Sequence, residues 1–360
     1  MGRVERFPKI FEYLMKLSIE RPITLFIDEF QEFFKVNKSV YSDMQRIWDM
    51  YHTKAHINLI VCGSIFSMMT KIFKDKKEPL YNRQTRFMSI KPFTPAVLKE
   101  IMAEYNPNYT AEDLLALYSF TGGVAKYVQL LVDAGATTKT KMLNHIIKAD
   151  SVFLGEGKAI LIEEFGKDYG VYFSILSAIA RGKTLRSEIE QIVGREIGGY
   201  LTKLEKEYEV ITKNQPIFEK SSTKNVRYTI EDNFFTFWFR FIYKYNYMLE
   251  IENFDAVKTI INRDYETFSG KMLERYFKRV LMESKAYTRI GSWWDRRGEN
   301  EIDIVAENEL NDEAVFIEVK RKEDNFDAVA LNEKVDVFTR ATGKFKDYTV
   351  SQRGLSMTDM

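Results

Sequence analysis

The sequence of 360 residues contains a single cysteine, Cys62, and only three histidines. One cysteine excludes a disulfide scaffold, and the histidines show no metal-ligand spacing, so the sequence offers no zinc site. No apolar run reaches about 18 residues and no segment resembles a signal peptide, so we expect a cytoplasmic protein without a membrane partner. The 53 basic and 52 acidic residues leave a net charge of +1, which is not the strong basic excess typical of nucleic-acid-binding domains.

Two apolar runs, residues 23–27 and 57–62, alternate with helical patterns in the first part of the chain. Because both runs carry apolar residues on both faces, they predict a parallel α/β sheet that is buried on both faces, with Cys62 as a core thiol. A long helical stretch follows Phe93. From residue 169 onward, three short helices precede strand candidates at 210–212 and 227–230, which is the set that a winged helix-turn-helix needs.

The first candidate site is at the end of the first apolar run, where Asp28 and Glu29 follow directly. An apolar strand that ends in two carboxylates is a Walker B pattern. At the ligand-binding edge of a parallel sheet, Asp28 would hold Mg²⁺ and Glu29 would orient an attacking water. Two carboxylates also commonly end a strand and begin a turn, and the pattern by itself leaves both interpretations open.

Further runs extend this pattern, namely FIDEFQEFFKVN, QRIWDMY, LIVCGS, LYNRQTR and TGGVAKY. In this order, over roughly residues 1–150, they resemble the archaeal-type P-loop ATPases of the AAA/STAND group. The resemblance implies that ATP and Mg²⁺ are the cofactors and that Asp28 and Glu29 are the Walker B pair. It also implies that Ser64 is a sensor residue near the γ-phosphate and that Arg83 senses phosphate charge. Gly122 and Gly123 would be the glycine pair that opens a lid helix. The chain has Ala125 where the family usually has proline.

The phosphate-binding loop of such ATPases, GxxxxGK[ST], occurs nowhere in the 360 residues. That loop cradles phosphates with backbone N–H groups and places a lysine on the β and γ oxygens. We therefore expect no competent ATPase in this chain, and we expect that it is a truncated form of a longer parent. The alternative is that another chain supplies the loop.

The second candidate site is in the last third of the chain, where residues 301–306 and 315–321 predict two adjacent strands. Because strand side chains alternate, Glu318 and Lys320 share one face, and Asp303 points away from its apolar neighbours. The spacing D-x14-E-x-K is the core of the PD-(D/E)xK nuclease pattern. Asp303 and Glu318 would bind a divalent cation and Lys320 would polarise the attacking water, while Glu274 on the preceding helix would complete the site. A solvated sheet face that carries Asp, Glu and Lys gives the same spacing.

The region of residues 170–350 contains the runs YLTKLEKE, DNFFTFWFRFIYKY, RIGSWWDRRGENEIDIVA and FIEVKRK. They resemble the DUF234 region found behind these ATPases, which is similar to restriction-endonuclease-like folds. The expected α/β architecture has four parts. They are a partial P-loop ATPase sheet (1–93), a helical lid (94–167), a winged helix-turn-helix (168–232), and an aromatic linker helix with the nuclease-like domain (233–360).

The expected function is that of a prokaryotic ATPase-family protein that associates with DNA and carries a metal-dependent nuclease-like domain. The alternative is a non-catalytic DNA-binding regulator or protein-interaction switch, and a homo-oligomer or a partner protein fits either. Some residues allow either a substrate surface or packing, namely Arg289, Trp293, Trp294, Arg296 and Arg297. The aromatic segment 234–247 predicts one buried helix, because Phe234, Phe235, Trp238, Phe241, Ile242 and Tyr245 fall on one stripe.

Overall fold

The computed structural model describes residues 6–220 and 223–360. The described chain forms two units. The first is the chain up to Ile90 together with Ile162–Gly166, and the second is Lys91–Leu161 with Lys167–Met360. The last three of the four predicted domains fall almost entirely within the second unit, and the division into four domains stays a prediction.

The first unit is built on two parallel strands, β1 (Ile23–Ile27) and β2 (Ile57–Val61), paired from Ile23 with Ile57 to Ile27 with Val61. Its helices are α1 (Phe7–Glu20), α2 (Glu32–Val36), α3 (Ser39–Tyr51) and α4 (Phe66–Lys74). One apolar cluster joins α1, α3 and α4 to one face of the sheet through Phe11, Met15, Met44, Ile47 and Met69. The predicted parallel α/β arrangement is therefore present.

The other face of this sheet is exposed, which corrects the prediction of strands buried on both faces. Every second residue of β1 and β2 is open to solvent, including Phe26 at 59% and Ile60 at 42% exposure. The physical reason is visible in the pattern, since Thr24 and Asn58 interrupt the apolar runs on this side. Cys62 is likewise only half-buried, because it follows the end of β2 and its thiol donates to Asp28.

The second unit begins with five helices, α5 (Pro95–Tyr105), α6 (Ala111–Thr121), α7 (Ala125–Asp133), α8 (Lys139–Ile146) and α9 (Val152–Phe165), the last turn of α9 belonging to the first unit. Threonine side chains cap the backbone N–H groups at the start of three of them. At α6 the cap is a reciprocal capping box, in which Thr110 and Asp113 satisfy each other's backbone N–H groups. These helices form the helical stretch that was predicted after Phe93.

A three-helix segment with a hairpin follows, formed by α10 (Tyr169–Ala180), α11 (Arg186–Val193), α12 (Gly198–Lys206), β3 (Ile211–Asn214) and β4 (Arg227–Ile230). The two strands are antiparallel, from Ile211 with Ile230 to Asn214 with Arg227. Beyond β3 the hairpin lies against the C-terminal sheet, where Ile217 N–H donates to Ser292 at 2.8 Å. Ile217 and Phe218 both pack in the core of that sheet.

The aromatic segment forms α13 (Asn233–Phe237), a π-helix (Trp238–Tyr243) and α14 (Asn246–Glu250), and not the single regular helix that was predicted. The wider turns follow from packing on several sides, since Phe173 contacts the rings of Trp238, Phe239 and Tyr243. Trp238 donates its indole N–H to the carbonyl of Leu154 at 3.1 Å. The prediction that this segment is largely buried is confirmed.

The C-terminal part contains α15 (Phe254–Ser284), β5 (Arg289–Trp294), β6 (Glu301–Asn308), β7 (Glu313–Val319), α16 (Ala328–Thr342) and β8 (Thr349–Leu355). The sheet order is β5-β6-β7-β8, with β8 parallel to β7 and the other neighbours antiparallel. Phe338 of α16 packs on one face against Trp293 and Phe316. In the described ranges, no helix has the length and apolar character needed to cross a membrane.

The two tryptophans of β5 have packing roles, which corrects the substrate-surface interpretation for these side chains. Trp293 and Trp294 are both buried, and the indole N–H of Trp294 donates to Asn225 at 2.9 Å. Arg227 lies over the Trp294 ring and pairs with Glu301 at 2.9 Å. The rings are therefore not available as a stacking platform for bases.

Candidate functional site

Asp303 lies in a bulge of β6. Gly291 of β5 pairs with Val305, but Trp293 pairs with Ile302, so two steps along β5 match three along β6. A bulge bends a strand and redirects its side chains. Because of the bulge, Ile302 and Val305 lie in the same apolar cluster. The side chain of Asp303 therefore does not follow the simple alternation between the two faces of the strand.

The strands β6 and β7 separate at this bulge. Their backbone pairing ends at Ile304 with Ile317, although β7 continues to Val319 beside β8. Past that point the Asp303 carboxylate replaces the missing backbone acceptor and accepts the N–H of Val319 at 2.8 Å. Continuing the register places Asp303 across from Glu318, so the end of β7 and the bulge of β6 hold the two predicted acids side by side.

Glu318 is buried, with 7% of its surface exposed. Two ammonium groups contact the same carboxylate oxygen, Oε1. Lys320 Nζ is 2.8 Å away and Lys334 Nζ, from α16, is 3.0 Å away. The second oxygen, Oε2, is buried and has no hydrogen-bond partner within the described part of the chain. Since buried polar atoms normally have a partner, this oxygen is the position where a ligand of the carboxylate is expected.

Glu274 is brought to the same place by α15. Burial raises the pKa of Glu274 to about 7, the charges of Asp303 and Glu301 add to the rise, and Lys271, whose Nζ is 3.0 Å from the carboxylate, opposes it. The pKa of Asp303 is also raised, first by burial and then by Glu318, against the hydrogen bond from Val319. Neighbouring carboxyl groups with raised pKa values are common in functional sites.

Lys320 stays protonated in this setting. Burial by itself would lower the pKa of Lys320, but the hydrogen bond from its ammonium group to Glu318 and the charges of Glu318, Asp303 and Glu274 raise it. All four predicted residues of the second site therefore lie within electrostatic reach of one another. In the observed side-chain conformations, no group of three or more His, Cys, Asp or Glu residues among those described is arranged to hold a metal ion.

Two lysines of this site were missed from the sequence. Lys271 precedes Glu274 by one helical turn, and that spacing on a helix was a usable signal. Lys334 lies on the following helix, α16, 16 residues after Glu318, and contacts it from there. No local pattern in the sequence predicts this contact.

The first predicted site is at the C-terminal ends of β1 and β2. Asp28 accepts the Cys62 thiol at 2.7 Å and the N–H of Glu29 at 2.9 Å, and these two hydrogen bonds lower the pKa of Asp28. Glu29 has a left-handed backbone (φ 47°), which is uncommon for a residue with a side chain. Its carboxylate accepts hydrogen bonds from Gln31 and from Ser64 (2.9 Å), and these lower the pKa of Glu29. The structure thus brings Asp28, Glu29 and Ser64 together.

Gln31 completes this cluster and was given no role in the sequence analysis. Only 1% of its surface is exposed, and its carbonyl oxygen has no partner within the described ranges. A Cβ atom at Gly63 would lie 2.1 Å from that oxygen and 2.7 Å from the sulfur of Met69, so a larger residue there requires these side chains to move. Gln31 and Gly63 together fix the orientation of Glu29 and Ser64.

The remaining predicted nucleotide-site residues make contacts of their own. Arg83 forms two hydrogen bonds to Asp49, at 2.9 and 3.0 Å. Gly122 ends α6 with φ 61°, and a Cβ there would meet Asp232 Oδ1 at 3.1 Å. Gly123 has φ 76° and accepts the N–H of Phe93 at 2.7 Å. Chain geometry alone therefore requires both glycines, and their role at a nucleotide stays a prediction, as does that of Arg83.

Comparisons with known proteins agree with the order of these regions. Residues 4–131 match a family described as an ATPase domain predominantly from Archaea, and residues 238–331 match DUF234, described as archaeal and bacterial proteins of unknown function. The uncharacterized protein MJECL04 of Methanocaldococcus jannaschii is 33% identical over 314 residues, which cover 83% of this chain and 67% of that protein. MJ0424 of the same organism, also uncharacterized, is 34% identical over 55 residues. These cover 15% of this chain and about half (53%) of that protein.

These matches define an archaeal-type ATPase domain followed by a DUF234 region. The chain belongs to this family, which it shares with MJECL04. Among solved structures, the Walker-type ATPase PABY2304 of Pyrococcus abyssi aligns with a TM-score of 0.47 and 18% identity, over 65% of this chain and 68% of that one.

Proposed function

We propose that the C-terminal part of this ATPase-family chain is a metal-dependent nuclease that hydrolyses phosphodiester bonds in DNA. The observation that carries the proposal is the buried Oε2 of Glu318, which has no hydrogen-bond partner among the residues that the structure describes and lies beside Asp303 and Glu274. Its other oxygen is already held by two lysines, so the carboxylate is fixed with one oxygen available. A solvated sheet face, the alternative interpretation of the sequence pattern, does not require a buried acid of this kind.

The chemical type of the donors, carboxylate oxygens, suits a divalent cation such as Mg²⁺. Asp303 and Glu318 would hold it through carboxylate oxygens, the ligands that hard cations prefer, and Glu274 would lie beside them. Such an ion, when bound, supplies positive charge to the phosphate and lowers the pKa of a bound water.

Lys320 serves this reaction as a charged group and not as a base. Its raised pKa keeps the ammonium group protonated at neutral pH. A protonated amine beside the phosphate stabilises the negative charge that grows on the phosphoryl oxygens as the bond breaks, and it can orient a water by donating a hydrogen bond. Lys334 fixes the Glu318 carboxylate from the other side.

DNA is the proposed substrate because the segment before this site has the parts of a winged helix-turn-helix. The helices α10 to α12 and the hairpin β3–β4 follow in the required order. The wing would be engaged within the chain, since Ile217 and Phe218 pack in the core of the C-terminal sheet. DNA contact would then come from exposed residues of α12 such as Thr202, Lys203 and Lys206.

Nicking of a supercoiled plasmid with Mg²⁺ or Mn²⁺ tests the proposal. Cleavage is expected for the wild type, with a loss of at least a hundredfold in Asp303→Ala and Lys320→Ala. Lys322→Ala is the matched control, since Lys322 is exposed and two residues from Lys320. Absence of nicking, or equal nicking by all variants, refutes the nuclease. Salt-dependent DNA binding without cleavage would instead support a non-catalytic DNA-binding regulator.

For the first unit we propose nucleotide and Mg²⁺ contact at Asp28, Glu29 and Ser64, which rests on their convergence and on the ATPase-domain match. ATP hydrolysis is not proposed for the chain by itself, because the 360 residues contain no GxxxxGK[ST] loop. Titration with a fluorescent ATP analogue and Mg²⁺ tests the contact. Binding unchanged in Asp28→Asn would refute it.

A further inference from the structure

An ion-pair cluster lies directly behind Lys320, and we call its residues the Arg321 anchor: Glu112, Lys139, Tyr265, Ser269 and Arg321. Arg321 donates through one Nη to Ser269 Oγ on α15 and through the other to Glu112 on α6, both at 2.5 Å. Lys139 at the start of α8 holds the second oxygen of Glu112 at 3.2 Å. The anchor thus joins three helices to the end of β7.

The centre of the Arg321 anchor is the ring of Tyr265, which is buried. Lys139 Nζ lies 4.5 Å and the Arg321 guanidinium 5.6 Å from the ring centroid. Two cations over one buried ring, with Glu112 between them, are stabilised both by the ring and by their shared carboxylate. The guanidinium is largely enclosed, so its position is fixed on several sides.

The segment that Arg321 ends is the one that carries the proposed chemistry. Val319 N–H donates to Asp303 at 2.8 Å, and Lys320 N–H donates to the carbonyl of Leu355 at 2.9 Å. Arg321 is the next residue, and its side chain donates to Ser269 and Glu112. The segment 319–321 is therefore held by the backbone N–H groups of Val319 and Lys320 and by the side chain of Arg321, which belongs to the Arg321 anchor.

We infer that Glu112 is a positioning residue for the Glu318–Lys320 site and acts through Arg321. Glu112 lies in the region that matches the ATPase family, whereas Ser269 and Arg321 lie in the DUF234 region, 157 and 209 residues further along the chain. Through its pair with Arg321, Glu112 of the ATPase-family region therefore supports the site in the DUF234 region. The role of Glu112 in catalysis rests on the proposed nuclease function. Its support of the 319–321 segment through Arg321 does not.

Hydrogen exchange followed by mass spectrometry tests the inference without reference to cleavage. In Glu112→Ala, we expect the amides of Val319 and Lys320 to exchange at least tenfold faster, because Arg321 then keeps only its hydrogen bond to Ser269 and is held less firmly. Peptides from 331–338 of α16 should keep their wild-type exchange. In Arg321→Lys, the ammonium group can reach Glu112 or Ser269 but not both in the same geometry, so an intermediate rate is expected.

Glu283→Ala is the matched control, since Glu283 also forms an ion pair on α15, but with Arg279 and not with Arg321. Unchanged exchange at 319–320 in Glu112→Ala overturns the inference, as does an equal rise in all peptides of the sheet, which would mean general destabilisation. Should Glu112→Ala fail to fold, Glu112→Gln keeps the shape and removes the charge, and the same criteria apply to it. A tenfold local rise in a protein that cuts no DNA would refute the nuclease and keep the anchor.

Discussion

Cation binding at the Glu318 site should depend on pH through Glu274. Burial and neighbouring carboxylates raise the pKa of Glu274 to about 7, so a proton competes with the cation near neutral pH. A carboxyl group with that pKa is about one-tenth ionised at pH 6 and about nine-tenths ionised at pH 8. If the cation requires the ionised form, its apparent affinity rises about tenfold between these two values.

The same proton affects stability with a defined sign. The folded-state pKa of Glu274 is above the unfolded one, so the folded protein binds more protons between pH 4.5 and about 7. Stability should therefore fall as pH rises through this window, while cation affinity increases. Added Mn²⁺ should offset this loss, since a ligand that binds only the folded state stabilises it.

Isothermal titration with Mn²⁺ at pH 6, 7 and 8 provides the measurement. The wild type should show the rise, with proton release on binding at pH 7. Glu274→Gln, which cannot ionise, should bind more weakly at pH 8 and with a much flatter pH dependence. An affinity that does not change between pH 6 and 8, or a slope that survives in Glu274→Gln, would show that this carboxyl group does not titrate with the cation.

Three further predictions concern stability. Phe338→Ala should lower the free energy of unfolding by about 3–5 kcal/mol in urea titrations, because the ring is fully enclosed in the C-terminal core. Leu310→Ala, at a side chain that is 85% exposed, is its control and should stay within about 0.5 kcal/mol. Gly63→Ala should cost about 1–3 kcal/mol, because its Cβ would meet Gln31, and a neutral result would mean that this contact is not as close as described. Lys334→Met should cost about 1.5–3 kcal/mol through the lost hydrogen bond to Glu318, and an equal loss in the exposed Lys346→Met would contradict that cause.

The sequence was informative where local pattern decides structure. The apolar runs and the alternation of 315–320 were enough to predict parallel strands and a shared face for Glu318 and Lys320, which do contact each other. The convergence of Asp28, Glu29 and Ser64 was implied only by family resemblance, since no local rule links residues about 35 positions apart.

Tertiary packing decided the remainder. Helix α15 runs from Phe254 to Ser284 and continues through Gly270. Glycine costs about 1 kcal/mol within a helix, but the burial of Tyr265, Phe268 and Met272 on both sides of it outweighs that cost. Neither the bulge at Asp303 nor the contact of Lys334 with Glu318 has a local signal, because both depend on how neighbouring elements fit together.

The uncovered face of the β1–β2 sheet has a practical consequence for work with the isolated chain. An aromatic and an aliphatic side chain, Phe26 and Ile60, face water on a parallel sheet that has two strands within the described part of the chain. Such a surface favours self-association at high concentration, since it combines apolar area with open strand edges. Light scattering that grows with concentration would then originate from this face, and a polar substitution at Phe26 is the most direct way to reduce it.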